Sequence, residues 1–459
     1  MRHPIHKSSV SGSLTTGLPE DVFHLVDSQL SLLEDYLRAK CIISTETGSN
    51  VAVEAVLSIV RNLWYHHTNY RYTFLQDVES SIAAANDLMR KLEKLEEMMR
   101  QVGEHFPQVD WREREQGGSA TFVVRREIAD LVSLFSTDAV NACQRAVNHI
   151  MRNIHNSSIA SDLFTREWEG DLIQNEVAVA IVRTFEDYLS DLRDYIEHDF
   201  LYHKVVAAMV RATVCFYTQC FVKKAHKLRR ALKRGFPSKR ASTIAFMNSK
   251  RAITRMTYDI QVFQEYFETL ARHSPPLMRL VVDELSVFVV FIECMWLAVG
   301  RKENDSLDEY VVVVHKKISG ADAAVTRHFL SDLWLLLGPK NEHYNIEKVV
   351  KRMDTELKLM SAMVKQEATS TRVTLDQSSC LRLDEVLHTM YEDRILQENS
   401  SLCVSFVKDI KDAKDRRSHS SDEEDSSNFE KPWEPLKEIK KRMTSNRYER
   451  ELSLIFKKL

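Results

Sequence analysis

The sequence predicts an all-α protein made of consecutive antiparallel helical bundles stacked into an elongated rod. Glycine and proline are scarce, with 11 and 9 among 459 residues, and this disfavours β-architectures because their tight turns need glycine. Apolar residues recur at three- and four-residue spacing over most of the chain, which is the period of amphipathic helices. The chain is also too long for one compact core, so we expect more than one domain.

The first third of the chain predicts three helices. Residues 1–17 are rich in serine, threonine and glycine, and we expect them to be disordered. Helices are predicted over 22–37, over 51–102 after a Ser49-Asn50 cap, and over about 122–155. The apolar residues that predict the first helix are Val22, Leu25, Val26, Leu30, Leu33 and Leu37.

The remainder continues the same pattern in shorter helices. They are predicted over 171–196, about 202–235, 240–271, 277–300, 306–318, 321–337, 345–365 and 380–395. The resulting domain prediction has a first bundle region at 18–236, a second at 237–410, an acidic and serine-rich linker at 411–430 and an amphipathic helix at 431–459.

One segment, 223–240, concentrates positive charge and contains no acidic residue. The formal net charge of the chain is −3 and would be −12 without this segment, so the charge is a local feature. On a helix, Lys223, Lys227, Arg230 and Arg234 fall roughly 200° from the apolar stripe at 100° per residue. The stripe is Phe221, Ala225, Leu228 and Leu232, and the nine cations are Lys223, Lys224, Lys227, Arg229, Arg230, Lys233, Arg234, Lys239 and Arg240.

Four interpretations of the basic segment remain open at the level of sequence. It is a solvated helix face, a surface for anionic phospholipid headgroups, a surface for an acidic protein partner, or a nucleic-acid surface. Nucleic acid is the least favoured of these, because neither interleaved aromatic residues nor a recognisable nucleic-acid-binding motif accompanies the charge.

The sequence gives no reason to expect an enzyme, a metal ion or a cofactor. Metalloprotease, serine-hydrolase, nucleotide-binding and kinase motifs are absent. His66 and His67 are adjacent, so they point apart on a helix, and we expect them on a helix surface. Four tryptophans are expected as core anchors: Trp111, Trp168, Trp296 and Trp334.

We expect a cytoplasmic protein without a transmembrane segment. The seven cysteines are dispersed and form no CxxC pair, which is typical of reduced thiols. The start of the chain has no apolar signal region. The most apolar stretch, 285–299, is too short to span a bilayer and contains Glu293, so we expect it to be a buried core helix.

A family resemblance rests on the order of several helical segments. VAVAIVRTFEDYLSDLRDYI at 177–196 precedes HKVVAAMVRATVCFYTQC at 203–220, then the basic segment and a helix that ends FQEYFETLA at 271. VFHLVDSQLSLLEDYL at 22–37 and the stretch 69–95 add to the match. This order resembles the Sec-six subunit of the exocyst, exocyst complex component three, over roughly 18–365. The residues that match its motif are Thr184, Glu186, Asp187, Tyr188, Asp191 and Leu192.

The resemblance implies a non-enzymatic tethering subunit that helps hold secretory vesicles at the plasma membrane before SNARE-mediated fusion. It implies contacts with other exocyst subunits and with fusion proteins of the SNARE and Sec-one/Munc types, at the periphery of the plasma membrane. The family's long N-terminal coiled coil is not matched here. The alternative is therefore a peripheral membrane-binding or adaptor protein of the same fold that acts outside the complex. A hydrolase or nucleic-acid enzyme is a third possibility.

Overall fold

The computed structural model describes most of the first 338 residues and a short segment near residue 390. The described residues are 4–9, 11–69, 76–111, 120–170, 176–233, 244–300, 307–318, 323–338, 351, 355, 357 and 382–392. The predicted linker at 411–430, the predicted C-terminal helix at 431–459 and most of the predicted helix at 345–365 lie outside them.

The all-α prediction is confirmed: the regular secondary structure of the described residues is helical, apart from a two-stranded hairpin. The hairpin consists of β1 (His6–Lys7) and β2 (Leu14–Thr15). The first helices are α1 (Leu18–Ala39), α2 (Glu46–Asn69), α3 (Val78–His105), α4 (Ala120–Asn156), α5 (Ser158–Asp162), α6 (Arg166–Gly170) and α7 (Glu176–Tyr195). They are followed by α8 (Asp199–Lys233), α9 (Ser249–Ala271), α10 (Pro275–Gly300), α11 (Leu307–Lys317), α12 (Ala323–Leu337) and α13 (383–392).

The chain divides into two compact units. Unit 1 comprises Met1–Phe221 and Phe246–Phe288, and unit 2 comprises Val222–Ala245 and Val289–Leu459. The predicted boundary at residue 236 therefore differs from the observed division, which falls within α8 and within α10. Apolar spacing could not reveal this division, because both helices continue their periodic pattern across it.

Unit 1 is built around the pair α3 and α4, with α1 packed on α3 and α2 packed on α4. The α7 helix packs against α9. Phe135, Phe185 and Phe263 are among the fully buried side chains of unit 1. Within unit 2, α11 packs against α12, and the ring of Phe291 stacks on that of Phe329 at a centroid distance of 6.1 Å.

Residues 4–9 and 11–17 differ from the disorder that the sequence predicts, and buried side chains of α3 bind two of them, Leu14 and Thr16. Asn86 donates to the Leu14 carbonyl oxygen at 2.8 Å, and Asp87 accepts from the Thr16 amide at 2.9 Å and from the Thr16 hydroxyl at 2.6 Å. Ser13 and Leu14 are buried. Polar composition did not reveal this order, since the partners lie about seventy residues away in sequence.

The long helix predicted over 51–102 is two helices in the structure. α3 begins after Asp77, whose side chain accepts from the Ser80 amide at 2.7 Å while the Ser80 hydroxyl accepts from the Asp77 amide. This capping box satisfies backbone donors that a continuous helix would have paired internally. At the start of α2, the hydroxyl of Thr45 accepts from the Gly48 amide at 3.1 Å, upstream of the predicted Ser49-Asn50 cap.

One helix of the described part of the chain is long and apolar enough to cross a membrane. It is the Asp199–Leu232 portion of α8, whose most apolar 18-residue segment has a mean hydropathy of 1.6. Of that segment, 67% is buried inside the structure, which is also the pattern of a core helix. In keeping with this, Arg211 of α8 donates from Nε to both carboxylate oxygens of the buried Glu284 at 3.1 Å.

Candidate functional site

The C-terminal part of α8 has one buried face and one charged, exposed face. Phe221, Ala225 and Leu228 are buried as the sequence predicts, and Leu232 is half-buried. This pattern follows from residues three and four positions apart sharing one face of a helix. The buried stripe fixes which way the intervening cations point.

Among the predicted cations whose side chains the structure describes, three face solvent together. Lys223, Lys227 and Arg230 are exposed, and their spacing of four and then three residues places them on one face over about 10 Å, at 1.5 Å per residue. Lys224 is half-buried. The side chain of Lys233 and the whole of Arg234, Lys239 and Arg240 lie outside what the structure describes. The three exposed cations can attract phosphate or carboxylate groups by charge.

Arg229 is directed differently from its basic neighbours. Its Nη2 donates to the Ser331 hydroxyl at 2.8 Å and to Oδ1 of Asp332 at 2.5 Å, and its side chain is 21% exposed. Asp332 is fully buried and also accepts from the Tyr391 hydroxyl at 2.9 Å. Arg229 thus neutralises a buried carboxylate inside unit 2 and is removed from the exposed basic face.

The family-like motif on α7 has an exposed acidic side. Glu186, Asp187 and Asp191 are exposed, whereas Tyr188 is half-buried and its hydroxyl accepts from Asn153 Nδ2 at 3.0 Å. Thr184 donates to the Ala180 carbonyl oxygen at 2.9 Å within its own helix. The motif therefore combines packing residues with a solvated acidic surface.

Histidine and tryptophan positions depart from expectation at two points. His67 is buried rather than on the surface, with Nε2 at 2.9 Å from Oδ2 of Asp138 and its ring edge-on to Phe135. Burial lowers the pKa of its neighbour His66. Trp296 is 41% exposed rather than a core anchor, whereas Trp111, Trp168 and Trp334 are buried. In the described part of the chain, no group of three His, Cys, Asp or Glu residues could hold a metal ion.

A buried polar centre in unit 1 escaped the sequence analysis. Asp259 of α9 accepts at Oδ2 from the Trp168 indole N–H at 2.8 Å and from the Tyr217 hydroxyl at 2.9 Å. Burial raises the pKa of Asp259 to about 6 and also raises the pKa of Tyr217. These donors join three distant segments, and they hold the carboxylate in a packed interior. We therefore interpret the centre as structural.

Comparison with known proteins relates this chain to one subunit of the exocyst complex. A family model described as Exocyst complex component Sec6 matches residues 3–282, which is more than half of the chain. The chain is similar in structure to the C-terminal domain of the exocyst subunit Sec6p, with a TM-score of 0.51 and 14% sequence identity over 81% of this chain and 85% of that one. At that identity, the structural likeness shows a shared helical-bundle fold alone. No curated protein sequence matches.

Proposed function

This chain belongs to the exocyst Sec6 family, and we propose that it acts as a non-enzymatic subunit that helps tether secretory vesicles to the plasma membrane before fusion. The observation that carries this proposal is the family match over residues 3–282. Its helical-bundle fold, which is also that of the Sec6p C-terminal domain, supports it.

The partners that follow from this role are other exocyst subunits, SNARE proteins and fusion proteins of the Sec-one/Munc type. A subunit of this kind works by presenting surfaces, and no step of its action requires a catalytic group. Its proposed location is the cytoplasm, at the periphery of the plasma membrane where vesicles are tethered.

Affinity purification tests the tethering proposal. The tagged full chain is expressed in its own cells at native level, and co-purifying proteins are identified by mass spectrometry against an untagged control. We expect other exocyst subunits to be enriched together. If none rises above the control while the chain itself is recovered in folded form, the proposal is wrong.

A second candidate function follows from the exposed cations of α8. A peripheral membrane or adaptor role outside the complex is favoured by the outward placement of Lys223, Lys227 and Arg230. Each cation near an acidic bilayer surface contributes about 1 kcal/mol of attraction. The same face would also accept an acidic protein surface, and the experiment below separates the two.

Vesicle flotation tests this candidate with vesicles of phosphatidylcholine alone or with phosphoinositide added. We expect salt-sensitive flotation with phosphoinositide, and a loss of at least about 100-fold in affinity when Lys223, Lys227 and Arg230 are all replaced by Glu, from about 1 kcal/mol per cation removed. The matched control replaces the exposed Arg125, Arg126 and Arg251 by Glu. Equal losses in the two variants would assign the binding to net charge, and an absence of flotation would leave the basic face to a protein partner or to water.

A further inference from the structure

The first helix of unit 1, α1, carries two apolar stripes, of which one is buried in its own bundle and the other is largely exposed beyond its first turn. The buried stripe consists of Pro19, Phe23, Val26, Leu30 and Leu37. A second stripe, here called the outer stripe, lies about 100° around the helix at 100° per residue. The outer stripe consists of Leu18, Val22, Leu25, Gln29, Leu32 and Tyr36.

Large apolar side chains of the outer stripe face solvent. Leu25 is 64% exposed, Leu32 is 68% exposed and Tyr36 is 54% exposed. Gln29 between them is exposed, and Leu18 and Val22 at the start of the helix are half-buried. Exposed apolar residues are ordinary when they are scattered singly. Here three of them, Leu25, Leu32 and Tyr36, align along a single helix face over about 17 Å, at 1.5 Å per residue.

The spacing of the outer stripe is that of a coiled-coil contact line. Successive members lie four, three, four, three and four residues apart, so they alternate between the a and d positions of a heptad. Val22, Gln29 and Tyr36 occupy a positions, and Leu18, Leu25 and Leu32 occupy d positions. A polar Asn or Lys at a single a position specifies register and oligomer state at a cost in stability, and the polar Gln29 occupies such a position here.

The residues beside the outer stripe indicate the charge of its occupant. On one side the e positions are Val26, which is buried, and Leu33, which is half-buried, so this side faces the bundle. On the open side the g positions are Asp21, Ser28 and Asp35, all exposed. The accessible flank therefore carries negative charge at both ends and no positive charge.

This arrangement disfavours a second copy of the chain as the occupant. In an antiparallel pair the g positions of the two helices meet, which would bring Asp21 and Asp35 of one copy against the same residues of the other. In a parallel pair each g position faces an e position, and the e positions here are apolar and turned toward the core. Neither arrangement gives the two aspartates an opposite charge.

We propose that the outer stripe of α1 docks an amphipathic helix of another protein, which has apolar residues in a heptad repeat and Lys or Arg along the flank that meets Asp21 and Asp35. The two helices form a short two-stranded coiled coil. Apolar contact at Leu25, Leu32 and Tyr36 supplies the affinity, and the aspartates select a basic flank. This proposal does not depend on the tethering role.

A pair of designed peptides tests the proposal on the full chain. Both peptides are four heptads long with Leu at every a and d position, one with Lys and the other with Glu at every e and g position. Like charges along each peptide oppose its self-association. By fluorescence anisotropy, we expect the Lys peptide to bind at least about tenfold more tightly than the Glu peptide. The double substitution Leu25→Gln with Leu32→Gln is expected to weaken binding of the Lys peptide by at least about tenfold.

Two further variants distinguish binding at a specific site from nonspecific binding. Asp21→Lys with Asp35→Lys is expected to reverse the preference toward the Glu peptide. Its matched control, the exposed pair Asp130→Lys with Glu265→Lys, changes net charge equally and is expected to keep the preference for the Lys peptide. Reversal by both pairs, or unchanged binding in the leucine variant, would overturn the proposal.

Sedimentation velocity tests the choice of occupant. We expect a chain that shows no self-association through α1 at micromolar concentration. A concentration-dependent dimer that Leu25→Gln with Leu32→Gln abolishes would overturn the inference of a foreign partner. Because these assays use only the chain and defined peptides, a failure to recover exocyst subunits from cells would not affect their outcome.

Discussion

Each unit of the molecule holds a fully buried aspartate that accepts a hydrogen bond from a tyrosine hydroxyl, and these two aspartates are neutralised in different ways. Asp259 in unit 1 and Asp332 in unit 2 each accept a hydrogen bond from a tyrosine hydroxyl at 2.9 Å. Arg229 donates directly to Oδ1 of Asp332 at 2.5 Å. In unit 1, by contrast, Arg255 Nε lies 3.8 Å from Oδ1 of Asp259.

The difference concerns which donors compensate the buried charge. Asp259 relies on neutral donors at Oδ2, from Trp168 and Tyr217, and its Oδ1 has no hydrogen-bond partner. Burial therefore raises the pKa of Asp259 to about 6. Asp332 instead has a guanidinium in contact. Where a cation contacts a buried carboxylate directly, the contribution of the carboxylate to stability depends on that cation. Where neutral donors hold the carboxylate, its contribution to stability depends on pH.

Removal of Asp332 gives the largest expected effect. Asp332→Ala leaves Arg229, which is 21% exposed, without its carboxylate, and leaves the Tyr391 hydroxyl without its acceptor. We expect the free energy of unfolding of unit 2 to fall by about 3 kcal/mol, the lower end for a broken buried pair because Arg229 reaches solvent in part. Amide hydrogen exchange of α12 during urea titration measures this for the unit itself.

The matched control for that variant is an exposed ion pair in the same unit. Lys317 donates to Glu293 at 2.5 Å, and Glu293 is 49% exposed. Glu293→Ala is expected to change the free energy of unfolding by less than about 1 kcal/mol, because exposed pairs are screened by water. Similar losses in the two variants would show that burial does not distinguish the pairs.

The sequence was sufficient for the fold class and for most helix positions, because apolar spacing alone sets them. Helices predicted over 277–300, 306–318 and 321–337 lie within two residues of α10, α11 and α12. The apolar face under the basic segment was predictable for the same reason. These features are local, and each depends on residues fewer than five positions apart.

Features that depend on distant partners were not predictable. Arg229 meets Asp332 across 103 residues, and Trp168 meets Asp259 across 91. The α1 helix shows a second limit. Its apolar residues were read as one stripe, but Leu25 is exposed while Val26 is buried. Two overlapping stripes cannot be separated until the neighbouring helices define which side is inside.

A change of pH is expected to act on the Asp259 centre. Its folded pKa of about 6 lies above the unfolded value of 3.8, so the folded state binds the additional proton between these values. The stabilising contribution of the protonated carboxyl is complete below 3.8 and is lost as pH rises through 6. Relative to Asp259→Asn, we expect the free energy of unfolding of the unsubstituted chain to rise by about 2 kcal/mol from pH 7.5 to 4.5, from about 1.4 kcal/mol per pKa unit.

Urea unfolding followed by circular dichroism at a series of pH values measures that difference. The asparagine side chain keeps an oxygen that accepts from Trp168 and Tyr217, so its variant serves as the reference that does not titrate at this position. Other groups, including Asp87, whose pKa burial raises to about 6, titrate in both proteins and cancel in the comparison. A difference that stays constant with pH would contradict the assignment.

The smallest expected effect compares the two tyrosine hydroxyls. Tyr217→Phe removes one of the two neutral donors to Asp259, whereas Tyr391→Phe leaves Asp332 with its direct contact to Arg229. Hydrogen bonds to charged groups contribute about 1.5–3 kcal/mol when no other donor replaces them. We therefore expect Tyr217→Phe to cost about 1 kcal/mol more than Tyr391→Phe, measured by amide exchange in α9 and α12. A larger loss of stability in Tyr391→Phe than in Tyr217→Phe would mean that Arg229 does not compensate Asp332 for the lost hydrogen bond from the hydroxyl.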